Sequence, residues 1–337
     1  MDWAADVVFQ GFSEMWEDLK ILTVVSRPEF LPANLASLIM GISWAINPPL
    51  ILTSEFVATV FLCLFTLLLV QNIAAQLNSM FDYEFDSKDD QKRELVMAMA
   101  KLGQNKLKSA VIGEFLAGLV LVVLLFLIQG NPALIFLFVT GSFLAYAYSA
   151  PPLRLKSRPW SQMLALFLAL SILPVLFVFY SFTWELNPIF LLFLAGQALT
   201  VYGLILPTEI RDYFIDSELG VRTMTVKLGL IKASFLGIAL LSTGGVLCVI
   251  AFFIELFFGS NPVFMLSLVI IPIADLIVLR KYKKLHSLSK EYKPSKGQNR
   301  IARDVVELAA HNPQWITLVS QAIVVTSIIL VVAKFLP

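Results

Sequence analysis

The stretch NSMFDYEFD (78–86) closes an apolar run that begins near residue 51, and EIRDYFID (209–216) closes another that begins near residue 187. A helix brings residues four apart onto one face. Asn78, Asp82 and Asp86 therefore form one polar stripe, Asp212 and Asp216 form a second, and Glu209 lies about one turn before it. An acidic stripe at the end of a lipid-soluble helix belongs where the chain leaves the hydrocarbon. Carboxylates this close repel one another or take up protons unless a cation lies among them. Mg²⁺ is the matching ion, because it takes hard oxygen ligands, keeps several waters and shares its shell with substrate phosphates. An isolated N-x3-D-x3-D is as readily a solvated acidic turn, since Glu84, Asp89, Asp90 and Glu94 lie nearby. The second stripe at a corresponding place separates the two readings: brought together, the pair makes a cage of oxygen ligands for a magnesium diphosphate.

The rest of the chain is as apolar as these two runs demand. Of 337 residues, 58% are hydrophobic, and the mean hydropathy is +0.82, beyond an ordinary soluble domain. Runs long enough to cross about 30 Å of hydrocarbon fall at 30–46, 51–77, 107–129, 132–150, 161–181, 187–207, 232–258, 262–280 and 315–336. The first is short and carries Asn34 and Trp44. The expected fold is all-α: one multi-pass domain over 1–337, a nine-transmembrane-helix bundle with a central cavity open to the cytoplasmic side.

Charge sorts the connections into two sets. Those at 47–50, 130–131, 182–186 and 259–261 contain no Lys or Arg, whereas 24 of the 25 basic residues fall in or before the alternate connections, leaving only Lys334. Short-loop Lys/Arg bias sets orientation. It places the N-terminus and both acidic stripes in the cytoplasm and the C-terminus outside, with the plasma membrane as the expected location. Residues 1–28 open with Val8, Phe12, Met15, Trp16 and Leu19 on one helical face, which predicts a helix lying on the bilayer surface. No basic start followed by an apolar core and cleavage site is present, so no signal peptide is expected. Cys63 and Cys248 fall inside predicted spans with no metal-type spacing. The stretch 281–314 is expected to be a basic cytoplasmic loop. Three spans separate the two that bear the acidic stripes and three more follow the second, the organisation of a duplicated bundle.

Cations able to meet phosphate flank the stripes: Lys88, Lys92 and Arg93 after the first, Arg211 and Arg222 around the second. Arg suits bidentate phosphate contacts. Each basic residue is also a topology marker in its own right; Arg222, just beyond the second stripe, is the strongest phosphate candidate. A third segment, YSAPPLRLK (148–156), places two prolines at a helix end and so predicts a rigid turn. It carries Tyr148 and Lys156, an aromatic face for a carbocation and a cation for phosphate.

Together NSMFDYEFD (78–86), YSAPPLRLK (148–156) and EIRDYFIDSELGVRTMTVKLG (209–229) resemble the UbiA superfamily of intramembrane prenyltransferases. That family has a nine-helix bundle, an N-x3-D-x3-D motif after the second helix, a Tyr/Lys loop, and a D-x3-D motif after the sixth. The resemblance implies Mg²⁺-dependent transfer of a prenyl group from a polyprenyl diphosphate to a lipophilic acceptor through an allylic cation. It implies two Mg²⁺ ions on Asn78, Asp82, Asp86, Asp212 and Asp216, with Glu209 adding an oxygen. Diphosphate would meet Lys156 and Arg222, with Tyr148, Lys92 and Arg211 alongside. Segments 78–106 and 208–231 would carry the lids that exclude water. Ser79 and Glu209 depart from the commonest family residues, and the long YSxPPL form counts against 4-hydroxybenzoate as acceptor.

A quinone precursor such as dihydroxynaphthoate is the first acceptor expected. Prenylglycerol phosphate, a chlorophyll-like alcohol, a carotenoid and internal terpene cyclisation are the alternatives. Haem is disfavoured because the only histidines are His286 and His311. A small-solute transporter is the competing class, on Glu114 and Asp275 within spans. Both lie within about two turns of a cytoplasmic end, away from the midplane where transport sites sit. The bilayer is the one further partner implied; neither nucleic acid nor an obligate protein partner is.

Overall fold

The computed structural model describes residues 15–47, 53–87, 92–218, 220–259, 262–292 and 299–335. Among the described residues every element is helical. Seven of the described helical stretches are long and apolar enough to cross a membrane: Ser54–Asp86, Gln104–Gln129, Pro159–Tyr180, Pro188–Glu218, Leu230–Phe258, Val263–Glu291 and Arg300–Phe335. Two shorter apolar helices, Leu31–Ala45 and Ala133–Ser149, occupy the remaining expected spans. Contacts divide the chain into two compact units, Met1–Asn34 with Phe61–Arg154, and Leu35–Val60 with Leu155–Pro337.

The first unit contains α1 (15–25) and most of α3 (Ser54–Asp86), α4 (Arg93–Leu102), α5 (Gln104–Gln129) and α6 (Ala133–Ser149). Sequence predicts α1 as a surface-lying helix; Val8 and Phe12, on which part of that rested, lie outside the described residues. In the described part, Met15, Trp16 and Leu19 are exposed, and the end of the helix packs on protein. Ile21, Leu22 and Val25 meet Met99, Leu102 and Leu107, and Lys106 Nζ lies 2.6 Å from Asp18. The expected loop between the second and third spans is helical over α4. Leu95, Met99 and Leu102, three and four apart, give α4 the apolar stripe that docks it there. Higher on α3, Gln76 donates to Ser26 Oγ (3.0 Å) and to Glu114 Oε1 (2.9 Å). Glu114 is thus a partnered intramembrane acid, as a buried polar group in hydrocarbon must be.

The second unit is built on α9 (Pro188–Glu218) against α11 (Leu230–Gly259), its most extensive helix pair. The two backbones nearly touch. A Cβ on Gly196 would sit 2.8 Å from Cys248 N and 2.9 Å from Gly244 O, so only glycine fits there. Aromatic rings fill the adjoining core, with Trp44 stacked on Phe193 at 5.0 Å and Phe179 on Phe190 at 4.0 Å. Trp44, unusual in so short a span, is therefore a core residue, buried to 3% exposure. α7 (Pro159–Phe167) and α8 (Leu173–Tyr180) join through a π turn at Leu168–Ile172 into one rod. At the far end of α14 (Asn312–Phe335), the Lys334 ammonium donates to the Ser43 and Ile46 carbonyls, both at 3.2 Å. It also lies 3.3 Å from Glu255, and so caps α2 (Leu31–Ala45).

The basic stretch 281–314 departs from the loop expected. α12 (Ile270–Glu291) carries most of its first third, α13 (Asn299–Ala310) follows, and α14 begins at Asn312. Ile301, Val305 and Ala309 are spaced four apart, and Val305 and Ala309 are fully buried. α13 packs on α9, and Asn312 Nδ2 donates to Thr208 Oγ1 at 2.7 Å. The stretch therefore buttresses the helix that bears the second acidic motif.

Candidate active site

The last turns of α3 carry the first motif. Ser149 Oγ, at the end of α6, donates to Asn78 Oδ1 at 3.1 Å. Arg154 Nη2 lies 3.3 Å from Asp82 Oδ1, and its guanidinium carbon sits 5.1 Å from the centre of the Phe85 ring. Asp86 is the most buried of the three, with 7% of its side chain exposed, and Lys92 Nζ meets it at 2.6 Å. A carboxylate that deep needs such a partner, since an uncompensated buried charge is strongly destabilising. Both aspartates thus carry a cation in place. Arg154 is the functional candidate that sequence reasoning missed: the YSAPPLRLK segment drew attention to Tyr148 and Lys156. Its positive φ of 34° turns the chain just after the proline pair. Tyr148, half-buried, lies in the last turn of α6, and Lys156 in the 3₁₀ turn Leu155–Ser157. Ser79 is buried to 2% exposure, one step round the helix from the acidic stripe.

The second motif closes α9 in the other unit. Arg211 clasps its neighbour Asp212 through two hydrogen bonds, Nε to Oδ1 at 2.8 Å and Nη2 to Oδ2 at 3.2 Å. The backbone then turns back on itself. Val221 N donates to the Asp216 carbonyl at 2.8 Å, and Gly220 takes φ 69°, a conformation open to glycine at little cost. Thr223 caps α10 (Met224–Leu228) by accepting from Val226 N. The GVRTMTVKLG run (220–229) is therefore a designed turn, and it presents Arg222 exposed to solvent.

Glu209, one turn before Asp212, is buried at 7% exposure, and both of its oxygens accept hydrogen bonds. Oε1 accepts from Gln162 Nε2 at 3.2 Å, and Oε2 accepts from Thr225 N (3.3 Å) and Thr225 Oγ1 (3.2 Å). Spacing of three from Asp212 puts Glu209 near the stripe, but tertiary partners turn it inward. Among the described residues, no group of three or more His, Cys, Asp and Glu side chains converges tightly enough to hold a metal ion by itself. The donor chemistry still suits Mg²⁺: hard carboxylate oxygens in pairs one turn apart, for an ion that completes its shell with water and substrate oxygen.

The UbiA prenyltransferase family matches residues 34–294, a span that takes in both acidic motifs and the loop between. The chain belongs to that family; it is an integral membrane prenyltransferase. Among individual relatives, it is 26% identical over 218 residues to the digeranylgeranylglyceryl phosphate synthase of Sulfurisphaera tokodaii, covering 64% of this chain and 72% of that one. Its fold is similar to that of a UbiA homologue from Archaeoglobus fulgidus solved with DMAPP and Mg²⁺. The TM-score is 0.61 at 17% identity, covering 89% of this chain and 99% of the other. A UbiA homologue from Aeropyrum pernix is similar at a TM-score of 0.60 and 15% identity, over 86% of this chain and 98% of that one.

Proposed function

We propose that this enzyme moves a prenyl group from a polyprenyl diphosphate to a lipophilic acceptor within the membrane. The observation that carries the reading is the family match over residues 34–294, which contains every motif singled out in the sequence. In this reading Asp82, Asp86, Asp212 and Asp216, with Asn78, hold two Mg²⁺ ions together with the diphosphate. Held there, Mg²⁺ would supply positive charge against that developing on the departing diphosphate. The chain's own part is to bind, orient and keep the site dry. Arg154 and Lys92, which balance Asp82 and Asp86, are placed to pass to phosphate oxygens when substrate arrives, and Lys156, Arg211 and Arg222 supply further positive charge. The allylic C–O bond ionises, its electron pair leaving with diphosphate; a carbon or oxygen of the acceptor, with the Tyr148 ring beside it, captures the cation and gives up its proton to water or to the departing diphosphate. α4 and the turn before α10 serve as the lids that exclude water.

The segregated Lys and Arg residues support a cytoplasmic position for both motifs and for the N-terminus in the plasma membrane, with nine crossings and the C-terminus outside. Two acceptors are carried. The motif forms favour a quinone precursor such as dihydroxynaphthoate; the named S. tokodaii relative favours a prenylglycerol phosphate. Purified protein incubated with labelled prenyl diphosphates and both acceptors separates them. Product with one acceptor is expected, together with released diphosphate and loss of activity in excess EDTA that Mg²⁺ restores. Movement of solute in sealed vesicles, with no diphosphate released, would mean a transporter.

Arg154→Gln provides a sharper check. Charge-assisted hydrogen bonds contribute about 1.5–3 kcal/mol, so KM for the prenyl diphosphate is expected to rise by roughly 10- to 100-fold. Steady-state kinetics against wild type reads this directly. An unchanged KM removes Arg154 from the phosphate site.

A further inference from the structure

We infer that Gln162 and Glu209 form a buried positioning clasp that sets the turn bearing Asp216 and Arg222. The inference rests on the prenyltransferase reading above and assigns these two residues no contact with substrate. Three elements of the second unit meet at the pair. Gln162 comes from α7 and is 5% exposed; Glu209 comes from α9. The segment they hold is the start of α10: Gln162 Oε1 accepts from Met224 N at 3.1 Å, while Glu209 Oε2 takes both the N–H and the hydroxyl of Thr225. Gln162 Nε2 closes the circuit on Glu209 Oε1. These bonds satisfy the first backbone N–H groups of a short helix, which have no partner within the helix itself.

The arrangement does more than satisfy α10. α9 runs to Glu218 and Thr223 opens α10, and the clasp ties the start of α10 back to α9 and α7. With Met224 and Thr225 pinned to α9 and α7, Val221 N reaches the Asp216 carbonyl and the exposed Arg222 points from a defined place. Each polar atom of the clasp has one complementary role, so the hydrogen-bond pattern is directional. Glu209 only accepts; Gln162 both donates and accepts. That directionality makes the inference testable.

Glu209→Gln forces one N–H₂ group against a donor, either Gln162 Nε2 or the Thr225 N–H. Gln162→Glu sets two carboxylates against each other. The double variant Gln162→Glu with Glu209→Gln restores every bond with the roles exchanged: the amide at 209 donates to the carboxylate at 162 and still accepts from Thr225. Each single variant is expected to raise KM for the prenyl diphosphate by about tenfold or more, the cost of a buried unpaired group, with a smaller change in kcat. The double variant should return KM to within about threefold of wild type, the non-additivity expected of contacting partners. Hydrogen exchange at Met224 and Thr225 is expected to quicken in both single variants and slow again in the double. Faster exchange with an unchanged KM would reduce the pair to a structural role and overturn the inference. So would unchanged exchange in both single variants, or a double variant no better than the worse single one. Wild-type protein that transfers no prenyl group to any acceptor would instead fail the functional reading, while the exchange data still report on the clasp.

Discussion

Asp82→Asn is expected to lower prenyl transfer by about 10²–10³-fold or more, the cost of removing one group that stabilises developing charge. The amide keeps the shape of the side chain but loses the charge that a divalent cation needs. Stability should barely change. The ion pair lost, with Arg154, is partly exposed on both sides (17% and 32%), and such pairs contribute only about 0–1 kcal/mol. Asp216→Asn on the other motif is expected to behave alike. The measurement is turnover with labelled prenyl diphosphate at saturating Mg²⁺, alongside the thermal midpoint in detergent. Near-normal turnover in both variants would end the assignment of these residues to the metal and diphosphate.

Gly196→Ala tests the fold in the same way. A single methyl group would lie under 3 Å from Cys248 N, from its sulfur and from Gly244 O. Two of these atoms are backbone and cannot rotate away, so α9 and α11 must separate. Overpacking of this kind costs about 1–3 kcal/mol, and it falls on the helix pair that supports the second motif. A clear drop in thermal midpoint is expected. Gly113→Ala is the control, because a Cβ there meets nothing within 4 Å and alanine favours a helix interior by about 1 kcal/mol. If the two variants melt alike, the close approach of the two helices is wrong.

What could be read from sequence followed from periodicity and composition. Within the described residues, each expected span coincides with helical structure, because long apolar runs admit little else in hydrocarbon. The acidic stripes could be found because a spacing of four survives translation into one helical face. The polar segments were less legible. α4 and α13 were expected as parts of loops, although Leu95, Met99 and Leu102, and Ile301, Val305 and Ala309, already carry helical spacing; dense charge masked it. Local spacing is blind to Gln162 and Thr225, which reach Glu209 through tertiary contact. Arg154 was passed over for the same reason, since its meeting with Asp82 is made across 72 residues.

Lys334 closes one end of the second unit in a way that bears on biogenesis. Its ammonium joins carbonyls at the end of α2 to a carboxylate on α11. Neither partner finds that charge until α14 has left the ribosome and entered the bilayer. A nascent chain halted before α14 would therefore lack the cation that Glu255 and the two carbonyls at the end of α2 share in the finished enzyme.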